Sequence, residues 1–328
     1  MSAPTPIGRT MIETHDLRRS FKSKGGTIEA VQGVDLAVGA GQVFGFLGPN
    51  GAGKTTTLRM LATLLPPSGG QATVAGADLR REPGLVRERI GYVPQGGSTD
   101  PAESGRRELI IQGRLYGMSR SDATKRAAEV LAALDLEDAA DRKISTYSGG
   151  MKRRLDVGLG IVHRPAVLFL DEPTTGLDPQ ARARMWEEIR KLREGGTTVF
   201  LTTHYLEEAD ALADKLAIID HGKIVASGTA DELKSEVAGD VITLGVDGLG
   251  ERVLDLVRLQ PYVREASIDG EVVRLYVDRG EAAVPQILRT LDGAGLFPQT
   301  ITLARPSLDD VFLRQTGRSL REEAKPAA

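Results

Sequence analysis

The chain has 328 residues, of which 41% are hydrophobic and 27% charged, and its formal net charge is −3. This composition is that of a globular protein with room for one large or two ordinary domains. A general nucleic-acid binder would carry a basic surplus, so the charge argues against that class. The sequence contains no cysteine, which excludes disulfides and thiolate metal sites.

The first two thirds of the sequence alternate between strand-like and helix-like segments. Apolar patterning and turn residues predict strands at residues 11–17, 28–38 and 42–47, and a glycine-rich loop then leads into a helix at residues 54–64. A second helix is predicted at residues 122–136, and buried-type strands at residues 166–170, 197–202 and 216–219. Strands rich in Val, Ile and Leu that alternate with helices predict an α/β fold with a mostly parallel sheet.

The glycine-rich loop at residues 48–55 reads GPNGAGKT and matches the P-loop pattern between an apolar strand and a helix. Its backbone N–H groups can point at phosphates near the helix N-terminus. In this pattern Lys54 reaches the β- and γ-phosphates, and the Thr55 hydroxyl binds Mg²⁺. We predict that the nucleotide contacts come from Gly48, Pro49, Asn50, Gly51, Ala52, Gly53, Lys54, Thr55 and Thr56.

Residues 167–172 read VLFLDE, an apolar strand that ends in two carboxylates. Asp171 can meet a Mg²⁺ ion held by the P-loop, and Glu172 can orient and polarise the attacking water. Two adjacent acids after an apolar strand could instead begin a surface loop. The P-loop upstream favours the nucleotide site.

The pattern changes near residue 239. Strands at residues 241–246, 263–268, 271–277 and 299–304 and helices at residues 251–259 and 282–291 give the order βαββαβ, which is the ferredoxin-like arrangement. Ser307 and Asp310 are spaced as a capping box before a last short helix. The apolar stripe of Leu308, Val311 and Phe312 in that helix either closes the domain's own core or joins two chains.

Further segments resemble motifs of the ABC ATPase family, and this resemblance extends over about residues 11–230. Residues 147–151 (YSGGM) resemble the signature sequence, and residues 176–178 (GLD) resemble the dimer-contact loop. Gln95 looks like the glutamine that senses the metal site and contacts the membrane subunit, and His204 looks like the switch histidine that contacts the γ-phosphate. Phe21 occupies the position of the adenine-stacking aromatic, although a core aromatic on an edge strand would look the same.

The resemblance implies a P-loop NTPase cassette at residues 11–237, in which an antiparallel β subdomain and a helical subdomain (about residues 97–163) accompany the parallel sheet. A small α+β domain follows at residues 239–317, and a disordered tail is predicted at residues 318–328. The implied cofactors are ATP and Mg²⁺. The implied site residues are Glu172, His204 and Lys54 for catalysis; Phe21, Gln95, Ser148, Gly149 and Gly150 for nucleotide binding beside the P-loop; and Thr55, Gln95 and Asp171 for the metal.

The sequence departs from the family signature at two positions. Tyr147 replaces the usual leucine and Met151 the usual glutamine, whereas Ser148 and Gly150, which contact phosphate in the family, are present. The YSGGM form and residues 308–313 (LDDVFL) resemble the daunorubicin/doxorubicin-resistance branch of drug exporters. We predict that the basic residues 152–154 form a solvated helix start, with contact to phosphate as the alternative.

The expected partners are a second copy of the chain and a separate membrane permease, with no nucleic acid. The longest strictly apolar run, residues 166–170, is far shorter than the roughly 18 residues of a membrane-spanning helix. We therefore expect a peripheral protein on the cytoplasmic face of the membrane, soluble when expressed alone. The alternatives are the ATPase of an importer or of a lipid or polysaccharide exporter, or a soluble ABC protein outside transport.

Overall fold

The computed structural model describes residues 9–23, 26–237 and 239–317. The chain divides into two compact units, one up to Ser227 and the other from Gly228. No helix in these described ranges has the length and apolar character to span a bilayer. The predicted disordered tail, residues 318–328, lies outside the described residues.

The first unit contains two sheets. In chain order its strands are β1 (Thr10–Ser23), β2 (Gly26–Gly39), β3 (Val43–Leu47), β4 (Gly69–Val74), β5 (Ala77–Asp78), β6 (Ile90–Val93), β7 (Val167–Asp171), β8 (Thr198–Thr203), β9 (Lys215–Asp220) and β10 (Lys223–Gly228). One sheet has the order β2-β1-β4-β5 with antiparallel pairs, and the other has the order β10-β9-β3-β8-β7-β6.

The second of these sheets is the centre of the unit. Its pairs β6–β7, β7–β8, β8–β3 and β3–β9 are parallel, and every residue of β3, β7 and β8 is buried. Parallel strands that are covered on both faces need continuous apolar runs, which is the pattern that predicted them. The carboxyl ends of β3, β6, β7 and β8 therefore meet at one edge of the sheet.

The helices of the first unit lie around these sheets. Their bounds are α1 (Lys54–Leu61), α2 (Pro83–Arg89), α3 (Gly105–Leu115), α4 (Arg120–Ala133), α5 (Gly149–Ile161), α6 (Pro179–Glu194) and α7 (Leu206–Leu212). Helices α3, α4 and α5 pack together around Leu109, Val130 and Leu155, at the place of the predicted helical subdomain. Helix α1 ends earlier than predicted because Thr63 has a φ of 61°, in the left-handed region that ends a helix.

The second unit has the predicted βαββαβ order. Its elements are α8 (Ala230–Glu236), β11 (Asp240–Gly245), α9 (Gly250–Val257), β12 (Val263–Asp269), β13 (Val272–Val277), α10 (Gly280–Gly293), β14 (Thr300–Ala304) and α11 (Leu308–Thr316). The sheet order is β12-β13-β11-β14 and each neighbouring pair is antiparallel. Helices α9 and α10 pack on one face through a core that includes Ile242, Leu275 and Ile287. The ferredoxin-like arrangement is confirmed.

The boundary between the units lies earlier than the sequence indicated. The change of pattern predicts a boundary at residues 237–239, but the structure assigns α8 to the second unit. Helix α8 contacts α11, which brings it into the second unit despite its position in the sequence.

Helix α11 lies on the face of the sheet opposite α9 and α10. The predicted capping box forms, since the Ser307 hydroxyl accepts from the Asp310 N–H and the Asp310 carboxylate accepts from the Ser307 N–H at 2.8 Å. Asp310 also accepts a hydrogen bond from Tyr276 on β13, and Arg274 of the same strand pairs with Asp309 at 3.4 Å. The apolar stripe is buried, with Phe312 at 0% exposure, which favours a core role over a contact between chains.

We predict that Phe312→Ala lowers the free energy of unfolding of the second unit by about 3–5 kcal/mol, the usual cost of a large cavity. The measurement is denaturant unfolding of the full chain, with hydrogen exchange reporting on residues 239–317. Phe297, which is 70% exposed, is the control, and its replacement by alanine should change stability by less than about 0.5 kcal/mol. Weakened self-association of Phe312→Ala with unchanged stability would instead place the stripe at a contact between chains.

Candidate functional site

The loop between β3 and α1 has the conformation that its glycines permit. Gly53 has a φ of 103°, and a Cβ there would lie 2.4 Å from the carbonyl oxygen of Ala30. A Cβ on Gly48 would lie 2.2 Å from the carbonyl oxygen of Ile219, so both positions exclude larger residues. Asn50 and Gly51 are exposed at the tip of the loop. The rest of the predicted run is buried or half-buried and comprises Pro49, Ala52, Lys54, Thr55 and Thr56.

Lys54 is the first residue of α1, and its side chain is only 4% exposed. Its Nζ donates to the carbonyl oxygens of Gly48 at 2.7 Å and Pro49 at 3.0 Å. The same atom lies 3.4 Å from Oε1 of Glu172. The ammonium group is thus held at the centre of the loop by partners in the segments that directly follow β3 and β7.

Asp171, the last residue of β7, receives two hydroxyl groups on one carboxylate oxygen. Thr55 donates to its Oδ1 at 2.9 Å, and Thr202 on β8 donates to the same atom at 2.7 Å. A hydroxyl and a carboxylate are donors that suit Mg²⁺, which in nucleotide sites takes one or two carboxylates and completes its shell with phosphate and water. Within the described residues no group of three or more His, Asp or Glu side chains could hold an ion without such help.

Glu172 follows Asp171 at the sheet edge, and its carboxylate contacts two further predicted residues, Gln95 and His204. Gln95 donates from Nε2 to its Oε2 at 2.8 Å, and Nδ1 of His204 lies 3.2 Å from the same oxygen. Thr175, which the sequence did not indicate, donates to that oxygen at 3.1 Å. Burial raises the pKa of Glu172, but the contact with His204 and the charge of Lys54 outweigh it and bring the pKa to about 2.

The backbone of Glu172 is strained. Its φ is 45°, a conformation that non-glycine residues rarely adopt and that costs on the order of 1–3 kcal/mol. The Glu172 N–H donates to the carbonyl and hydroxyl oxygens of Thr202 on β8, at 3.2 and 3.0 Å. These bonds fix the Glu172 backbone to β8, and its carboxylate lies beside Lys54 and Gln95.

The signature-like residues line a different cleft. Ser148 caps α5, and its hydroxyl accepts a hydrogen bond from the Met151 N–H at 3.3 Å. This cleft, of about 360 Å³, is lined by Ser148, Gly149, Gly150 and Met151 together with the predicted dimer-contact loop, residues 176–178, and contains no P-loop residue.

Phe21 lies on β1 of the antiparallel sheet and is half-buried. The guanidinium of Arg19 stands 4.6 Å from the centre of its ring. A cation over one face makes the ring a stacking surface, but no described contact joins it to the cluster around Glu172.

The family models and the similar proteins all indicate the same family. Residues 31–175 match the model of the ABC transporter family, and residues 228–316 match that of the C-terminal domain of DrrA1-3-like ATP-binding proteins. The daunorubicin resistance ATP-binding protein DrrA2 of Streptomyces coeruleorubidus is 48% identical over 94% of this chain and 97% of its own length. The daunorubicin/doxorubicin resistance ATP-binding protein DrrA of Streptomyces peucetius is 46% identical over 96% of both chains.

The chain belongs to the ATP-binding proteins of ABC transporters. The fold agrees, since the ATP-binding cassette MJ0796, solved as a dimer in a post-hydrolysis state with ADP and phosphate, superposes with a TM-score of 0.62 at 24% identity. That match covers 67% of this chain and 98% of the other.

The two departures from the ABC signature are accommodated by the helical part of the cassette. Tyr147 is 5% exposed, and its hydroxyl donates to the Ala139 carbonyl oxygen at 2.7 Å. Met151 is half-buried against the core that α3, α4 and α5 share. Tyr147 therefore packs inside the subdomain, whereas Met151 lies between that core and the cleft around Ser148, and Ser148 still caps α5.

The prediction that residues 152–154 are solvated was wrong for Arg153, which is 7% exposed. It lies one helical turn before Val157 and two before Gly160, both buried, so it belongs to the apolar face of α5. The sequence contains that periodicity, but a run of three basic residues is more typical of a solvated surface.

Sequence reasoning also missed Glu208, which is 0% exposed on α7. Its Oε1 accepts from the Thr174 hydroxyl at 2.8 Å and from Nε1 of Trp186 at 3.2 Å. Glu208 therefore connects the segment after Glu172 with α6 and with the helix that follows His204. Burial raises the pKa of its carboxyl group.

We predict that the stability of the wild type relative to Glu208→Gln falls as pH rises from about 4 towards 7. Because the folded state holds the Glu208 proton more tightly than the unfolded state, a pH rise favours the unfolded chain, and glutamine removes this effect while retaining the acceptor. Urea unfolding at a series of pH values measures the difference. Glu207→Gln changes the exposed neighbouring position, and its stability difference from the wild type should not depend on pH. A stability difference for Glu208→Gln that is also independent of pH would contradict the prediction.

Proposed function

We propose that the chain is the ATPase subunit of an ABC exporter, that it drives a separate membrane permease, and that amphipathic drugs of the daunorubicin and doxorubicin type are its substrate class. The observation that carries the proposal is the similarity to two resistance proteins of that name over nearly the whole chain. The match includes the second unit, which has its own family model. The substrate path would lie in the permease.

The cluster at the sheet edge supports ATP hydrolysis. The P-loop N–H groups and Lys54 would bind the phosphates. Thr55, Asp171 and the amide oxygen of Gln95 would hold Mg²⁺, which supplies charge neutralisation at the phosphates when bound. Phe21 would stack on the adenine, and His204 would contact the γ-phosphate.

Glu172 is assigned the role of general base. With a pKa of about 2 it is ionised at neutral pH and can accept a proton from water, although such a low pKa makes it a weak base. Lys54 and His204 lower that pKa, and both are assigned to the γ-phosphate. We expect the phosphate to compete for these two partners when ATP binds.

A complete site requires a second chain. The cleft around Ser148 includes residues 176–178 but none of the P-loop. We infer that two chains associate face to face, so that Ser148, Gly149 and Gly150 of one chain contact the ATP bound by Lys54 of the other. Hydrolysis would then reopen the dimer and drive the permease from the cytoplasmic face of the membrane.

The second unit favours an exporter over the other ABC systems. Regulatory tails of importer ATPases are larger and more barrel-like, whereas this unit is a four-stranded ferredoxin-like sheet with helices. Soluble ABC proteins that act on ribosomes carry two cassettes, and those of DNA repair insert a long coiled coil between the P-loop and the signature. Here that interval holds α2, α3 and α4, of which the longest has 14 residues.

Glu172→Gln should bind ATP with nearly unchanged affinity while its turnover falls by about 10²–10⁴, the usual contribution of a general base. Because hydrolysis is needed for reopening, the variant should accumulate as an ATP-bound dimer. Phosphate release and sedimentation measure the two effects, and Glu207→Gln, an exposed acid on α7, is the control. Normal phosphate release by pure Glu172→Gln would remove this residue from the role.

The same variant tests export in cells. Cells that express the chain with a permease encoded beside it should retain less doxorubicin than cells with Glu172→Gln and the same permease. If both kinds of cell retain the same amount of doxorubicin while the wild type has normal ATPase activity, the proposed drug class is wrong and the ATPase assignment stands.

A mixture of Lys54→Ala chains and Ser148→Arg chains should hydrolyse ATP although each variant alone is inactive. Mixed dimers contain one intact composite site, with Lys54 from the Ser148→Arg chain and the signature from the Lys54→Ala chain. The measurement is phosphate release while one purified variant is titrated into the other. Turnover by wild-type chains held as monomers would refute the composite site.

A further inference from the structure

Arg153 makes four hydrogen bonds to backbone carbonyl groups outside its own helix. Its guanidinium donates to Pro173 at 2.8 Å, Pro94 at 2.6 Å, Asp171 at 3.0 Å and Glu172 at 3.3 Å. Burial lowers the pKa of this guanidinium, yet an arginine in a protein remains protonated. A planar group with five N–H donors can join several acceptors in one fixed arrangement, which lysine cannot do.

The acceptors belong to the two segments that carry catalytic candidates. Three of them follow one another through the end of β7 and include the strained Glu172, whose N–H is held from the opposite side by Thr202. The fourth, Pro94, immediately precedes Gln95. Arg153 thus holds the backbone on both sides of the hydrogen bond between Gln95 and Glu172.

Asp156, one turn further along α5, holds the other end of the same loop. Its Oδ1 accepts from the Ser98 N–H at 2.8 Å and from the Ser98 hydroxyl at 3.2 Å, and the carboxylate is 4% exposed. Residues 94–98 are therefore bound to α5 at both ends. The first turn of this helix carries Ser148 at its cap.

We propose that Arg153 is a positioning residue that makes α5, the Gln95 loop and Glu172 move as one body. The inference rests on the composite site proposed above, in which one chain contacts two different ATP molecules. Glu172 and Gln95 act on the ATP of their own chain, whereas Ser148 on the same body contacts the ATP of the partner. A displacement of the Gln95 loop in one chain therefore reaches both sites of the dimer through Arg153.

Mixed dimers test this link. Arg153→Gln is placed either in the Ser148→Arg chain, which supplies Lys54 and Glu172 to the single intact site, or in the Lys54→Ala chain, which supplies only the signature. We expect turnover to fall about 10- to 100-fold in both arrangements, which is the scale of a misplacement near 1 Å. The affinity for ATP should stay within about twofold of that of the same mixture without the Arg153 substitution, because the P-loop governs ATP binding. Loss in the first arrangement alone would overturn the proposal, because Arg153 would then serve only Glu172.

Two controls separate this role from general stability and from the composite site. Arg126 donates to the carbonyl groups of Ile161 and Val162 at the far end of α5, so Arg126→Gln removes similar bonds and should leave turnover unchanged. Arg153→Lys retains the charge and decides the matter if Arg153→Gln does not fold; full activity of the lysine variant in both arrangements would overturn the proposal. A mixture that is inactive without any Arg153 substitution refutes the composite site itself, whereas an active mixture that tolerates Arg153→Gln refutes only this inference.

Discussion

The buried pair of Lys54 and Glu172 is the interaction around which the cassette is organised. Each side chain is almost fully removed from water, with 4% and 6% exposure, and their charged atoms lie 3.4 Å apart. A buried charge without a partner is strongly destabilising, so neither residue can be placed alone. The pair therefore requires β3 and β7 to end at the same edge, which the parallel sheet provides through β8 between them.

Much of the cassette could be predicted because its central strands are buried on both faces. A strand such as Val167–Asp171 must be apolar up to its last residue, and the acid there then marks the sheet edge. The P-loop was predictable for a related reason, since Gly53 lies where backbone and space admit only glycine. Short elements such as α2 and β5 carry too few residues for a periodic signal, so their positions could not be predicted from the sequence.

The errors arose where a polar residue lies on an apolar surface. Arg153 and Glu208 are charged residue types inside the protein, and each is satisfied by backbone or hydroxyl groups from segments distant in the sequence. Local composition contains no information on such partners, so a basic run was interpreted as solvated. The early boundary of the second unit has the same origin, because the contact of α8 with α11 joins residues about 80 positions apart, a separation that no local pattern reports.

The φ of Glu172 has a consequence for how this chain can evolve and be engineered. Glycine at position 172 would relieve backbone strain on the order of 1–3 kcal/mol, but it would also leave the buried ammonium of Lys54 without the carboxylate that faces it, which costs about 3–5 kcal/mol. The charge pair thus outweighs the strain, and the folded chain retains an acid at a position where the backbone alone would favour glycine. Selection for heat resistance alone should therefore keep the strained acid in place, because a relaxed backbone at position 172 becomes favourable only after position 54 has lost its charge.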